Sequence, residues 1–182
     1  CIMEMIHNPK QLYLLYKRYK SEFPRGTPFV CACEKGRVDD VNRFLNLHRF
    51  HAYVDVGTAN AGMDVTAMVS KVGTNIFGGS RTPLMMAALY EHSTIIEILL
   101  QCNADTATTN DYGENALHWA ACNNEITTTI VQLLLNNMKL EDINHKDTNG
   151  DTPLDDCYDN NSFIKQQLID LIRQKGGKRQ RE

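Results

Sequence analysis

The sequence lacks most of what would classify a chain at a glance. There is no CxxC pair, and the six cysteines (Cys1, Cys31, Cys33, Cys102, Cys122 and Cys157) are too few and too irregularly spaced for a disulfide framework in 182 residues. Free, mostly packed thiols in a reducing, intracellular compartment are the expectation. No apolar run approaches the roughly 20 residues that a membrane-spanning helix needs. The opening, CIMEMIHNPKQLYLLYKRYK, lacks the basic-then-apolar order and small-residue cleavage site of a secretory signal. It also lacks an initiator methionine, which points to a piece of something longer. Neither sign of charge dominates: the formal net charge is −3, which makes no broad case for nucleic-acid binding. The glycines of GTNIFGGS lack the Lys-Ser/Thr ending of a phosphate-binding loop, and GTANAG is an equally weak nucleotide signature.

What the chain does have is repetition. Three segments align, starting RTPLMMAALYEH at Arg81, ENALHWAACNNE at Glu114 and DTPLDDCYDNNS at Asp151, and a weaker copy, GTPFVCACEKGRVDDVNRFL, starts at Gly26. Thr82 and Asn115 are 33 residues apart, Asn115 and Thr152 are 37 apart. A period of this size points to a stacked array in which no single unit can bury its apolar face alone. Each copy opens with Thr-Pro or its equivalent, in which Thr caps free amides and Pro needs no donor. A short helix with small residues follows (Ala87 and Ala88, Ala120 and Ala121), then a turn and a second, Leu/Ile-rich helix such as STIIEILLQ. Gly36 suits the turn of the first copy, and Asn124 and Asn161 take that place in the last two. Both residue types tolerate the left-handed conformation that ends a helix, whereas Glu91 fits the slot poorly.

These residues resemble the ankyrin repeat, with its period of about 33 residues and T-P-L-H-x-A pattern. NALHWAACNNE is similar to the family signature with Asn115 for Thr and Ala116 for Pro; LLQCNADTATTNDYGEN is similar to its linker with Asn103 for Gly. The likeness is strong from Thr82 to Leu154, moderate from Thr27 to Leu45, and weakens in the last repeat. It implies an all-α, ankyrin-type helical repeat solenoid with short β-hairpin-like connectors, an N-terminal helical cap and a C-terminal capping repeat. The expected units are capping helices at 1–25, a first repeat at 26–81, a second at 82–114, a third at 115–151, a capping repeat at 152–174 and a basic, solvated tail at 175–182. The resemblance also makes His118 structural, its ring tying neighbouring repeats together. Val30, Met85 and Asp155 hold the equivalent places, so no row of ligands is formed. Asn144 falls where ankyrin proteins carry a hairpin asparagine that some oxygenases hydroxylate.

The first repeat departs from the pattern. Between Leu45 and Thr82 it holds 22 more residues than its neighbour does between Leu100 and Asn115, with DVTAMVSKV offering a short helix. Long loops in compact domains are uncommon and usually functional or disordered. Its apolar residues, Val54 and Phe77 among them, favour packing, either on its own stack or on a partner.

Other chemistry is set against plainer readings. Cys31, Cys33, His48, His51 and Cys122 are zinc-ligand types, but aligning the repeats puts Cys33 opposite Ala88 and Cys157 opposite Ala87, at small interior positions. No oxyanion-stabilising motif accompanies a Cys/His pair. Asp151, Asp155, Asp156 and Asp159 would need a deep apolar pocket to act as a catalytic pair, and a solvated acidic face is the simpler reading. The tail KGGKRQR reads as disorder, with nuclear import left open.

The expectation is therefore a non-catalytic protein-protein interaction module without cofactor or metal, monomeric alone and cytoplasmic, with no nucleic-acid or membrane partner. The family's contact positions fall here on Glu34, Lys35, Arg81, Leu89, Tyr90, Asp111, Tyr112, Glu114, Cys122, Asn123, Thr148, Asn149 and Asp151. Tyr90 and Tyr112 are the expected anchors, although Leu89 and Tyr90 could instead cover neighbouring repeats. The alternatives are a scaffold or targeting domain of a larger enzyme or effector, and a small-molecule or metal pocket built by the insertion. Charge is polarised: residues 1–50 hold nine Lys/Arg against five Asp/Glu, and 141–159 hold seven acidic residues against one lysine.

Overall fold

The computed structural model describes residues 9–54, 73–74, 80–123, 127–158 and 163–180. Helix α1 (Pro9–Glu22) precedes four helix pairs: α2 (Pro28–Glu34) with α3 (Val38–Val54), α4 (Pro83–Leu89) with α5 (Ser93–Gln101), α6 (Ala116–Cys122) with α7 (Thr128–Asn137), and α9 (Pro153–Tyr158) with α10 (Phe163–Gln174). The one-turn α8 (Leu140–Ile143) follows α7, and strands β1 (Gly73–Thr74) and β2 (Ser80–Arg81) pair antiparallel just before α4.

The helices lie in two rows. First helices pack in the order α2–α4–α6–α9, second helices in the order α3–α5–α7–α10, and each pair also packs within itself. Small residues permit the first row's close approach: Ala32 and Cys33, Ala87 and Ala88, and Ala120 and Ala121 are all buried. The second row supplies bulk, with Val41 and Phe44, Ile95, Ile96 and Leu99, Ile130, Val131, Leu134 and Leu135, and Leu168, Ile169 and Ile172 buried between the rows. Each such aliphatic side chain contributes about 1.5–3 kcal/mol on burial.

Polar side chains then stitch each repeat to the next. A helix leaves its last carbonyls without partners, and here the following repeat supplies a donor. His92 Nε2 donates to Glu34 O at 3.1 Å, Asn123 Nδ2 to Leu89 O at 2.8 Å, and Lys165 Nζ to Ala121 O. At the opposite ends of the first helices, Asn115 Nδ2 donates to Asp142 O at 2.8 Å, His118 Nε2 to Asp151 O at 3.3 Å, and Thr152 Oγ1 to Lys178 O at 2.8 Å. His118 is the inter-repeat tie that the sequence suggested. Gly36 serves this stitching twice: its φ is +65°, and a Cβ there would lie 2.6 Å from the His92 ring. Glu91, in the same slot one repeat on, adopts φ +60° without glycine's freedom.

The ends close differently. Helix α1 buries Leu15 and Tyr19 against α2 and α3, where Tyr16, Tyr19 and Phe29 all meet the Phe44 ring edge-on. Arg18 and Tyr19 Oη both donate to Asp40, and burial with that bond pushes the Tyr19 phenol up to about 12. Arg18 is thus paired within the cap, although its side chain stays half exposed. At the other end, the stretch read as a solvated tail is corrected as far as Gln180. Gly177 is buried, Lys178 N donates to Asn144 Oδ1 at 2.6 Å, and Arg179 Nε reaches Asp155 Oδ1 at 3.0 Å. Gly176, at φ +87°, turns the chain back over the last repeat as Asn103, at φ +57°, does after α5.

Helix α3 outruns its expected end, absorbing the first part of the insertion as far as Val54. No glycine or proline interrupts Asn46 to Asp55, so nothing stops the helix there. At its far end the insertion touches its own stack, because Gly73 approaches Thr27 and Val30 too closely for a Cβ. The expected helix DVTAMVSKV and the turn residues Asn124 and Asn161 lie outside the described residues.

Candidate functional site

The connectors between repeats are built by one device used twice. Asn110 Oδ1 accepts from the amides of Tyr112 and Glu114 at 2.9 and 3.0 Å, and Asp147 Oδ1 accepts from those of Asn149 and Asp151, both at 2.8 Å. A side chain that gathers two amides two and four residues on makes a tight turn without a strand ladder. Gly113 and Gly150, at φ +75° and +89°, complete the two turns. Thr148 N donates to Tyr112 O at 2.9 Å, so successive tips are locked side by side.

Tips and first-helix ends bring most of the expected contact residues to the surface. Lys35, Asp111, Thr148 and Asn149 are exposed, Tyr112 is 58% and Tyr90 44% exposed, and Cys122 is also exposed. Tyr90 stacks on His92, with ring centroids 6.4 Å apart and planes 21° apart. Arg81 brings its guanidinium 4.1 Å from the Trp119 ring centroid and 5.8 Å from that of Tyr112. Glu114 is half-buried and accepts from Asn110 Nδ2 at 2.8 Å.

Besides Arg81 and Glu114, both half-buried, four expected contact residues are drawn inward. Glu34 is 3% exposed, because its place at the end of α2 lies under the His92 of the next repeat. Leu89 is half-buried against the core, the covering role kept open above. Asn123 is half-buried and spends its amide on the Leu89 carbonyl. Asp151 is half-buried, and its carbonyl receives the His118 ring. Trp119 was missing from the expected set. It is the single tryptophan of the chain and stands in the variable place of LHWAA, which is the sequence signal for it.

The titratable groups singled out in the sequence are shifted by their surroundings. Burial pushes the Cys31 thiol up to about 11 and the Cys157 thiol up to about 12, away from the thiolate that a nucleophile needs. Burial alone would raise Asp155, yet hydrogen bonds from Thr152, Gln180 and Arg179 hold its carboxyl below the usual range. A general acid needs the opposite shift. The acidic group at the last repeat is therefore not simply solvated: Asp155 is an acceptor that holds the returning chain. Asp159 lies outside the described residues. Asn144 ends α8, where its amide donates to Leu140 O and Gly176 O. Among the described residues there is no group of three or more His, Cys, Asp or Glu placed to hold a metal ion, and no helix long and apolar enough to cross a membrane.

A family model described as ankyrin repeats (3 copies) matches residues 51–147 and 84–176, together more than half the chain. The chain belongs to the ankyrin-repeat family. Ankyrin repeats are in general protein-protein interaction modules. Among curated proteins, the ankyrin chain is 38% identical over 52 residues to human neurogenic locus notch homolog protein 2, a match covering 29% of this chain and 2% of that protein. It is 37% identical over 73 residues to neurogenic locus notch homolog protein 1 of Danio rerio, covering 40% of this chain and 3% of that protein. The matched stretch is thus a small part of each of these relatives.

Proposed function

We propose that this ankyrin stack is a non-catalytic module that binds another protein on the concave face formed by its connector tips and first-helix ends. Repeat units bounded at 26, 82, 115 and 152 frame that face. The observation that carries the reading is the exposure of Tyr90 and Tyr112, at 44% and 58%, on family contact positions of neighbouring repeats. Large amphipathic aromatics left in water gain most from being covered, and such residues dominate interface energetics. The contact set is now Lys35, Arg81, Tyr90, Asp111, Tyr112 and Trp119, with Thr148, Asn149 and Cys122 at the rim. Cytoplasmic or nuclear residence of a monomer goes with it, supported by the free thiols of Cys31, Cys33, Cys102, Cys122 and Cys157.

The test is affinity capture from native cell extract with the intact chain and with Tyr90→Ala/Tyr112→Ala, after matching the two in thermal unfolding. A protein captured by the first and lost with the second is expected. Unchanged capture would overturn the reading and move the interface to the stretch between His48 and Ser80. A second reading, that the module is the targeting part of a longer enzyme or effector, is supported by how small a share of the notch relatives it matches. The complete open reading frame decides that point.

A further inference from the structure

Arg81 is held in an unusual way for a cation on a binding face. It closes β2, half-buried, with its guanidinium over the Trp119 ring at 4.1 Å and near the Tyr112 ring at 5.8 Å. Its single hydrogen bond among the described residues runs from Nη1 to the carbonyl of Ser80, and no carboxylate of the described residues pairs with it. Its Nε is buried with no acceptor, and the same is true of Trp119 Nε1. Two buried donors without acceptors therefore belong to side chains that pack against each other on the exposed side of adjacent repeats.

We infer that the Arg81–Trp119–Tyr112 cluster is the receptor for a carboxylate, an Asp or Glu side chain presented by the partner protein. The inference rests on the proposed protein-binding face and names the chemistry that this face reads. The rings fix the guanidinium plane in advance, so little side-chain entropy remains to be lost when an acid arrives. A planar guanidinium donates two parallel bonds to a carboxylate, and the flanking rings keep water from competing. A phosphate fits less well. Asp111 and Glu114 flank Tyr112 on the same connector and repel a dianion more than a single carboxylate. Lys35, exposed on the repeat before, extends the positive side of the face toward α1.

A phage-displayed library of random peptides is selected on the intact chain, and the best binder is measured by fluorescence polarisation. The expected binders share an Asp or Glu at one position. Changing that acid to its amide weakens binding about 10- to 100-fold, Arg81→Gln weakens it by a similar factor, and the two losses do not add. Arg81→Lys, which keeps the charge but not the fork, recovers only part. Both variants are first matched to wild type in thermal unfolding. Binders without an acid, or indifferent to Arg81→Gln yet weakened by Tyr90→Ala, overturn the carboxylate site and leave the binding face standing. Binders indifferent to both substitutions overturn the two together.

Discussion

Met85 and His118 stand at the same place in successive repeats, three residues past the helix cap, and do half of the same job. In the second repeat, Met85 N donates to Thr82 Oγ1 at 3.1 Å while Thr82 N is returned to the Met85 sulfur at 3.3 Å. In the third, His118 N donates to Asn115 Oδ1 at 3.3 Å while Asn115 N is returned to His118 Nδ1 at 3.2 Å. Both are reciprocal capping boxes, one closed by a thioether and one by an imidazole. The difference lies on the far side. The methionine stops there, whereas the ring continues to the Asp151 carbonyl. Burial lowers the His118 pKa and so favours the neutral ring, whose Nε2 faces the Asp151 carbonyl while Nδ1 lies 3.2 Å from the Asn115 amide and 2.9 Å from its Oδ1. One atom pair thus turns a local cap into a tie between repeats.

The comparison breaks most visibly under a common replacement. His118→Leu leaves the Asn115 amide without a partner and removes the inter-repeat bond to the Asp151 carbonyl, which keeps only the Asp147 amide, and is expected to cost about 2 kcal/mol in urea unfolding. Met85→Leu, losing only a weak sulfur acceptor at nearly constant volume, is expected to cost less than about 1 kcal/mol. Equal losses would mean that the ring's second bond contributes nothing.

A second pair sharpens the point at the inter-helix turns. Glu91→Gly relieves a left-handed glutamate whose Oε1 is buried without a partner, and should stabilise by about 1 kcal/mol. A thermal midpoint that stays put or falls would show that the Glu91 side chain offsets its strain. The smallest effect is in pH. His118 titrates near 6.5 when unfolded and lower when folded. The unfolded chain therefore binds a proton that the folded chain refuses, and stability falls as pH drops through 6.5 toward the depressed value, then levels. The stability difference between wild type and His118→Leu, measured from about pH 7.5 to about pH 5, should show that slope, and the difference between wild type and Met85→Leu should be flat.

The repeat order, the two helices per unit and the small residues of the first row were legible because they recur at a fixed period and each has a local physical cause. Thr-Pro at a helix start needs no tertiary information, nor do adjacent alanines where helices meet. The contact face was legible only in part. Alignment placed Glu34, Leu89 and Asn123 at surface positions, but the His92 ring, the core and the Leu89 carbonyl claim them. Those partners come from another repeat or another part of the same one, and position within a repeat does not reveal them. Trp119 hides its role for the same reason: its partner, Arg81, lies 38 residues earlier, in the preceding repeat.

The sequence by itself determined that this is a stack, because period, caps and apolar spacing are properties of short stretches. Tertiary structure alone decided which polar side chains remain for a partner. A hydrogen-bonding group serves either the fold or the surface, and the choice depends on what lies within about 3 Å in space. Asp155 and Arg179 look like solvent-facing charges in the chain and prove to be each other's partners. Arg81 looks the same, yet it is seated between two rings without an acceptor for its Nε.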